Sequence, residues 1–508
     1  MEKKVIIVGA GVGGLATAVR LLSRGYEVKI FEKEKRVGGK VNIIEKCGFT
    51  FDLTASILMR PEEYKEVFSW TDKHWEDYLE FIRLDPFYRV NYADGSSYNF
   101  SSDLVKLIET LESISEVDSV GYLKFLGDSY EKYLIANKYF LNKAFIKPID
   151  FFNPLTLSMA IKSKTLSNTY TYISKYIDNE KLRDFLCFQA LYVGISPFNG
   201  PNIYTIVPII SELYGLWHLK GGMYAYIKAL EKLIYELGGI IETETNIEEI
   251  LISEGIATGI KTSNITEKAD IIICNADFPY AVIELINDEK AKGDYDNEKI
   301  SKMKYSCSTF IIYLGLNKKY PQLKVHNLFL GDDFKNNIEA PFKGTLPENP
   351  SIYIYCPSKI DETMAPKDKE SLNIMVRVPN LLFDEIHWDS KDIATLRKQI
   401  FQNLGRIDGL EDIEENIIYE NYLTPKDLKE SFNSYGGTAF GLSHTLSQTN
   451  YFRPHLKLKS VKNLYFVGSS VHPGTGVSMV LLSSKLVAEE IIKDDLTTNS
   501  LFNPKEWM

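Results

Sequence analysis

The first forty residues contain a glycine cluster placed directly between an apolar run and a helix-like period. Residues 4–9 are mostly apolar, Gly9, Gly11 and Gly14 fall in the spacing G-x-G-x-x-G, and Glu32 closes a second apolar run. The first glycine permits a tight turn, the second lets the backbone approach a pyrophosphate, and the third allows close helix–strand packing. An acid at the end of the second strand accepts the ribose hydroxyl protons and disfavours a 2′-phosphate. The segment therefore predicts a βαβ unit that binds a dinucleotide other than NADP.

A second glycine pair, Gly38-Gly39, stands between Arg36 and Lys40 shortly after Glu32. Such a pair lets another loop come close to the flavin side of a cofactor. The arrangement resembles the FAD proteins of the glutathione-reductase type, in particular the group of amine oxidases and carotenoid desaturases, and this resemblance implies FAD. A surface turn flanked by basic residues is the alternative, because Gly-Gly is a general turn signal.

The C-terminal part repeats the pattern of strand, glycine turn and helix. A buried strand is predicted from Asn463 to Gly468, the turn contains His472-Pro473-Gly474, and a helix is predicted to end near Ile492. The start of that helix can direct its N–H groups at a flavin carbonyl and favour negative charge on the reduced ring. An ordinary strand–turn–helix without a ligand is the alternative.

The chain has 508 residues, which is too long for one simple core and predicts two or three domains. Its fold class is predicted to be α/β, with a Rossmann-like FAD-binding domain of the glutathione-reductase type assembled from discontinuous segments. A substrate-binding domain and a helical insert complete the prediction. The predicted limits are 1–60, 221–300 and 460–495 for the FAD-binding domain, 61–110 and 301–459 for the substrate-binding domain, and 111–220 for the insert.

Taken together, these motifs resemble the bacterial carotenoid desaturases, the phytoene and dehydrosqualene desaturase family, over nearly the whole length. The stretches that carry the resemblance are 48–52, 84–90, 94–95, 221–223, 274–277, 306–308, 313–316, 451–455 and His472-Pro473-Gly474 followed by Gly476. The stretch 84–90 resembles the dehydrosqualene branch in particular. The chain departs from the family at 53–56, where a Gly-Pro pair is usual, and at Thr475, Val477 and Ser478.

The fingerprint and the resemblance together imply a set of FAD-binding residues, with no catalytic residue assigned. These residues are Gly9, Gly11, Val12, Gly13, Gly14, Glu32, Lys33, Gly38, Gly39, Lys40, Ser56, Ile57, Ile247, Asn275, Gly468, Ser469, Gly476, Val477, Ser478 and Met479. Glu212, a carboxylate in an apolar run, is a candidate base with a raised pKa, although a paired or solvated helix acid is the more frequent case.

The resemblance implies that an allylic hydride passes to the flavin and that conjugated double bonds form in a linear polyisoprenoid, dehydrosqualene or phytoene. It also implies oxygen or a quinone as the electron acceptor. The alternatives are a carotenoid isomerase or terminal oxidase of the same family, or an amine oxidase on the same fold. The form of amine oxidase with a cysteinyl flavin near the chain end is disfavoured, because no cysteine follows Cys356. A non-catalytic flavin-binding scaffold is disfavoured by the glycine loops at both ends of the chain.

A lipophilic substrate requires access to the bilayer, and residues 138–176 have an unusual composition. They contain the six lysines Lys138, Lys143, Lys147, Lys162, Lys164 and Lys175, many aromatic residues, and the single acid Asp150, in a chain of net charge −10. This composition fits a segment that lies on an anionic membrane surface. A solvated helical face is the alternative. We therefore expect the insert to associate with membrane and the protein to be peripheral on the inner face of the cell membrane.

The composition and the residue spacing argue against several other classes of protein. The net charge of −10 argues against a nucleic-acid partner. The five cysteines form no CxxC pair and the seven histidines show no HxxxH or HxH spacing, so we predict no metal site and reduced thiols in a cytoplasmic protein. No signal-peptide segment precedes the first strand, and no apolar run reaches the roughly 18 residues that a membrane span needs.

Overall fold

The computed structural model describes residues 3–163, 167–383 and 385–499, and for 497–499 it describes the backbone alone. The strands are β1 (Lys4–Val8), β2 (Glu27–Phe31), β3 (Ile43–Lys46), β4 (Phe49–Asp52), β5 (Phe81–Arg83), β6 (Tyr88–Tyr92), β7 (Ser97–Phe100), β8 (Trp217–Leu219), β9 (Ile240–Glu242), β10 (Ile247–Ser253), β11 (Ile256–Thr262), β12 (Thr266–Lys268), β13 (Ile271–Cys274), β14 (Ser308–Leu316), β15 (His326–Leu330), β16 (Ile352–Tyr355), β17 (Glu370–Val378), β18 (Ile417–Leu423) and β19 (Leu464–Phe466). The α-helices are α1 (Val12–Leu22), α2 (Pro61–Glu66), α3 (Leu104–Ala136), α4 (Pro148–Phe151), α5 (Pro154–Lys162), α6 (Thr169–Ile173), α7 (Glu180–Phe188), α8 (Ile206–Tyr214), α9 (Tyr224–Glu236), α10 (Phe278–Tyr280), α11 (Glu289–Lys292), α12 (Asn297–Lys302), α13 (Phe334–Glu339), α14 (Ser390–Leu404), α15 (Pro425–Phe432) and α16 (Val477–Asn499).

A parallel five-stranded sheet carries the glycine fingerprint. Its strand order is β19-β13-β1-β2-β9, so strands from the start, the middle and the end of the chain lie side by side. The central strands β1 and β13 are almost wholly buried, which agrees with their continuous apolar sequences. The α/β class and the discontinuous assembly of this sheet are therefore confirmed, while the limits of the three domains stay predictions.

A seven-stranded sheet forms the second large layer. Its order is β18-β14-β17-β16-β15-β6-β7, antiparallel at every pairing except β15 with β6. All nine residues of β14 are buried, because this strand has neighbours on both edges and packed layers on both faces. The sheet places residues of β14, β16 and β17 next to the glycine loops of the parallel sheet.

Helices α3 to α8 lie between β7 and β8, and most of their residues fall in the range 111–220 predicted for the insert. Helix α3 begins at Leu104 because Asp103 accepts hydrogen bonds from the N–H groups of Val105 and Lys106, and it bends at Ser115, whose backbone is extended. Asn153, Asn168 and Asn179 cap three later helices in the same way. In the described parts of the chain, no helix combines the length and the apolar character needed to cross a membrane.

Helix α16 is longer than its sequence pattern indicates. The pattern predicts an end near Ile492, where the apolar period stops, yet the helix continues to Asn499. Its final turns are held by tertiary contacts, since Tyr465 Oη donates to Asp494 at 2.6 Å and Tyr26 Oη donates to Asp495 at 2.5 Å. The period of the apolar residues cannot indicate such hydrogen bonds between distant side chains.

Candidate cofactor and substrate site

One cavity of about 680 Å³ lies between the two large sheets, within the usual size range of ligand sites. Nineteen of the twenty predicted FAD-binding residues line it: Gly9, Gly11, Val12, Gly13, Glu32, Lys33, Gly38, Gly39, Lys40, Ser56, Ile57, Ile247, Asn275, Gly468, Ser469, Gly476, Val477, Ser478 and Met479. Gly14 alone does not line it. A Cβ on Gly14 would lie 2.4 Å from the carbonyl oxygen of Gly9, so this position serves the packing of α1 on β1.

Two helices begin at the cavity wall. Helix α1 starts after Gly11, and α16 starts after Gly476, whose positive φ of 101° favours glycine. The first intrahelical bonds run from Leu15 N to Gly11 O and from Val480 N to Gly476 O, so the preceding N–H groups have no intrahelical acceptor. Both helices thus present free N–H groups and positive dipole ends to the same space, which suits a pyrophosphate and an anionic ring system.

Glu32 is held at the edge of the cavity by backbone donors. Its carboxylate accepts from the N–H of Ala10 at 2.7 Å and from the N–H of Glu34 at 3.0 Å. Burial raises the pKa of this carboxyl, and the two backbone bonds oppose that rise. The carboxylate retains lone pairs for hydroxyl donors, as the fingerprint predicts for a ribose.

The glycine loops fit a bulky dinucleotide at close range. A Cβ on Gly39 would lie at an ordinary contact distance of 3.4 Å from the Cα of Gly11, so the two loops lie side by side, and the positive φ of 56° favours glycine at this position. The Oδ1 of Asn275 is buried without a hydrogen-bond partner among the described residues, while its Nδ2 donates to Val467 O at 2.8 Å. An acceptor left open beside a glycine cradle fits a ligand that brings hydroxyl donors, as FAD does.

Two lysines of the predicted set are fixed by the polypeptide. Lys33 Nζ donates to Glu430 O and to Asn433 Oδ1, both at 3.1 Å. Lys40 Nζ donates to Thr438 O at 3.4 Å, and burial lowers its pKa while the charge of Asp277 partly restores it. The cavity therefore has a cationic side near the second glycine pair.

A chain of hydrogen bonds leads from the cavity into the seven-stranded sheet. Ser56 Oγ and Tyr353 Oη are 3.0 Å apart, and Tyr353 Oη lies 2.8 Å from His326 Nδ1. Burial lowers the pKa of His326 to about 3, so this imidazole is neutral at physiological pH. Ser56 thus has a defined orientation, because its hydroxyl is fixed by a buried tyrosine.

The other half of the cavity is apolar and aromatic. Its walls include Phe140, Phe151, Tyr192, Ile203, Tyr204, Val207, Ile210, Phe440, Leu446 and Phe452. Leu446 and Phe452 are also 44% and 47% exposed, so the cavity opens to the surface beside them. The ring of Phe452 lies 5.7 Å from that of Phe151, which places the opening next to α4.

Glu212 does not line the cavity. Helix α8 turns Ile206, Val207 and Ile210 towards the cavity, whereas Glu212 accepts a hydrogen bond from Tyr122 of α3. Burial raises the pKa of Glu212 to about 8, as proposed from its apolar surroundings. Its position nevertheless makes it a structural acid and removes it as a candidate base.

Sequence reasoning missed two arginines. Arg453 is fully buried and donates to the carbonyl groups of Leu442, Gln448, Ser469 and Val471, so it fixes the turn after β19. Arg377 faces the cavity from β17. Arg377 is the one charged residue in the apolar end of β17, Ile374 to Val378, and that is the signal that could have identified it.

Two curated proteins are similar in sequence to this chain over nearly its whole length. A curated 4,4'-diapophytoene desaturase (4,4'-diaponeurosporene-forming) from Staphylococcus haemolyticus is 40% identical over 494 residues, covering 96% of this chain and 99% of the relative. The protein of the same name from Staphylococcus aureus strain Newman is 40% identical over 496 residues, 97% of this chain and 99% of the relative.

Solved structures share the fold at low identity. An oxidoreductase from Methanosarcina mazei superposes with a TM-score of 0.63 at 18% identity, covering 96% of this chain and all of that chain. Cyclohexylamine oxidase from Brevibacterium oxydans gives a TM-score of 0.60 at 14% identity, covering 97% of this chain and 100% of that chain. The sequence profile described as flavin containing amine oxidoreductase matches residues 12–492. This chain therefore belongs to the flavin-containing amine oxidoreductase family.

Proposed function

We propose that this FAD-dependent oxidoreductase introduces conjugated double bonds into a linear thirty-carbon polyisoprenoid, 4,4'-diapophytoene (dehydrosqualene), as a step of carotenoid biosynthesis. The observation that carries the proposal is the continuity of one cavity, which joins dinucleotide-binding loops to an apolar, aromatic-walled region. A hydrocarbon chain needs such walls and makes no use of polar anchors. The names of the 40% identical relatives supply the substrate.

In this proposal, FAD is held along the glycine loops. Glu32 accepts from the ribose, the start of α1 faces the pyrophosphate, and Ser56 with the start of α16 faces the ring. The other members of the predicted set, except Gly14, would form the surrounding walls. These roles are supported by the shared cavity and by the unpartnered oxygen of Asn275.

FAD supplies the hydride acceptor for an allylic C–H bond. The protein contributes position, because a reacting carbon held at the ring needs little further assistance once orientation is fixed. The aromatic walls line the half of the cavity that would hold the polyene. Proton loss next to an allylic cation is easy, so the site does not require a strong base.

We also propose that the insert docks on an anionic membrane at the inner face of the cell membrane. Beside the cavity opening, α4 and α5 expose Ile149, Phe152, Leu155, Leu157 and Ile161; with Leu446 and Phe452 we call this the α4–α5 surface. Lys138, Lys147, Lys162 and Lys175 are exposed, and within the described ranges neither they nor Lys143 form an ion pair. Lys164 lies outside the described residues. All five cysteines are free, which fits the cytoplasm.

Anaerobic bleaching of the bound flavin tests the substrate. The purified protein is mixed with liposomes that contain 4,4'-diapophytoene, phytoene or no polyene, and flavin absorbance and products are followed. We expect bleaching and a new conjugated chromophore with 4,4'-diapophytoene. Absence of bleaching in protein that retains oxidised FAD would reject the proposal, and bleaching by cyclohexylamine instead would establish an amine oxidase.

Reoxidation identifies the electron acceptor, for which we expect oxygen or a membrane quinone. Substrate-reduced protein is mixed with air-saturated buffer or, without oxygen, with a short-chain quinone. The acceptor that restores flavin absorbance at the rate of steady-state turnover is the physiological class. Slow recovery with both would exclude the two expected acceptors.

A further inference from the structure

A positive charge faces the cavity from the middle of the seven-stranded sheet. Arg377 lies on β17, where Met375 and Arg377 line the cavity while Ile374 and Val376 are buried on the opposite face. Its partner across the antiparallel ladder is Thr309 of β14, which also lines the cavity. The side chain of Arg377 therefore faces the cavity beside Phe440, one of its aromatic walls.

The neighbours of Arg377 do not neutralise it. Nη1 donates to Thr309 Oγ1 at 3.3 Å and to the thioether sulfur of Met375 at 2.9 Å, and the guanidinium lies 4.8 Å from the ring centre of Phe440. Among the described residues, it forms no ion pair. Burial lowers the pKa of Arg377, but arginine stays protonated in proteins. A charge in this setting carries a desolvation penalty, so an anionic partner is expected from outside the polypeptide.

The hydrocarbon substrate cannot be that partner, because it has no polar atom. The ribose is also excluded as the anionic partner of Arg377, because it carries no charge and is proposed to bind at Glu32. Arg377 instead belongs to the side where the flavin ring is proposed to lie. Tyr353, whose hydroxyl lies 3.0 Å from that of Ser56, lines the same cavity as Arg377. Phe440, whose ring contacts Arg377, lies two residues after Thr438, and the carbonyl group of Thr438 accepts a hydrogen bond from Lys40 of the second glycine loop.

We propose that Arg377 is the cation that offsets the negative charge acquired by the flavin ring on hydride transfer. The proposal rests on the proposed function, because it takes the ring to lie beside β14 and β17. When the allylic C–H bond breaks, both of its electrons and its proton pass to the neutral ring, which gains one negative charge. The adjacent C–H bond then gives its electrons to the new double bond and its proton to solvent. A preorganised guanidinium lowers the energy of the charged ring in a site of low dielectric.

The charge-neutral variant Arg377→Met and the charge-conserving variant Arg377→Lys test this inference without any polyene. Sulfite adds to oxidised flavin and leaves a negative charge on the ring, so its dissociation constant reports stabilising cations. We expect about a tenfold weaker sulfite affinity in R377M, near-normal affinity in R377K, and a lower flavin reduction potential in R377M. A tenfold change corresponds to about 30 mV for a two-electron couple. The exposed Arg406→Met, whose arginine pairs with Asp332 at the surface, is the matched control.

Unchanged sulfite affinity and potential in R377M that retains FAD would overturn the inference. An equal loss in R377M and R377K would also overturn it, because shape rather than charge would then be responsible. If R377M does not retain FAD, Arg377→Gln, which keeps a donor for Thr309, replaces it. Both readouts are independent of the substrate, so a wild-type protein that fails to bleach with 4,4'-diapophytoene rejects the proposed function alone.

Discussion

Glu212 illustrates how a buried acid is kept protonated without taking part in chemistry. Its Oε1 accepts from Tyr122, and its Oε2 has no partner within the described residues. Burial raises the pKa to about 8, so the carboxyl is neutral at pH 7. The folded form binds this proton more tightly than the unfolded chain does. Stability from this group is therefore complete below pH 4.5 and is lost as the pH rises through about 8.

Replacement Glu212→Gln should remove this pH dependence and leave flavin bleaching unchanged. Between pH 5 and pH 9, the free energy of unfolding of the wild type should fall relative to that of E212Q, by at most about 1.4 kcal/mol for each unit of pKa shift. Urea unfolding at pH 5, 7 and 9 measures the difference, with the exposed Glu109→Gln on α3 as control. A difference that does not vary with pH, or a large loss of bleaching rate, would contradict the assignment.

Gly14 is required for packing, not for contact with the ligand. In Gly14→Ala the new Cβ would lie 2.4 Å from a backbone oxygen that cannot rotate away. We expect a destabilisation of about 1–3 kcal/mol or more, and loss of FAD as α1 shifts. Gly127→Ala is the control, because Gly127 is exposed in α3 with open space around it and should gain up to about 1 kcal/mol. Thermal unfolding and the flavin-to-protein absorbance ratio report both variants, and a G14A protein as stable as the wild type would contradict the packing role.

At the scale of elements, α4 and α5 combine apolar exposure with positive charge beside an opening. Ile149 is 65% and Ile161 79% exposed, which is unusual for isoleucine on a protein surface in water. The capping of both helices is normal: Asp150 accepts from Lys147 N and Asn153 accepts from Thr156 N. Both helices are therefore capped in the ordinary way, and the proposed membrane contact would use their exposed apolar residues.

Charge reversal on this element should abolish attraction to anionic membranes. We expect the triple variant Lys143→Glu, Lys147→Glu, Lys162→Glu to lose co-sedimentation with anionic liposomes, because each lysine near such a surface contributes about 1 kcal/mol. The variant Lys391→Glu, Lys398→Glu on α14 changes exposed lysines away from the α4–α5 surface and is the control. Unchanged binding of the triple variant would favour a merely solvated helical face.

Elements whose signals are local were predicted, and elements that depend on distant pairing were not. Strands β1 and β19 lie where the apolar runs at 4–9 and Asn463–Gly468 predict them, because such short buried strands need no information beyond their own residues. Strands β15 and β18 were missed, since their apolar and polar residues acquire a pattern only beside β16 and β14. The bend of α3 at Ser115 was also not foreseen.

The same division applies to the site. The spacing of the glycines indicates where the backbone can approach a cofactor closely, so the loops around Gly11 and Gly39 could be predicted. The walls formed by Tyr192, Arg377 and Phe440 come from an insert, a strand and a loop, and nothing in their local sequence relates them. Only tertiary packing brings these three residues to one cavity.

At the scale of the whole molecule, the C-terminal helix α16 packs against the N-terminal helix α1. Thr17 Oγ1 donates to Ser484 Oγ at 2.9 Å, and Arg20 Nη1 donates to the same oxygen at 2.8 Å. Arg20 also pairs with Glu66 of α2. These bonds fix α1 against α16, so the two helix starts that face the cavity cannot move independently.

Removal of FAD should therefore loosen segments that are far apart in the chain at the same time. In hydrogen exchange of the FAD-free protein and the holoprotein, we expect FAD to protect residues 9–14, 38–41 and 468–479 together, because all three lie at one cavity and binding stabilises only the assembled form. Helix α14 (Ser390–Leu404), which contributes no residue to the cavity, serves as the internal reference and should show little change. Protection of 9–14 without 468–479 would mean that the C-terminal turn binds no part of the cofactor, and it would reduce the proposed FAD site to its N-terminal half.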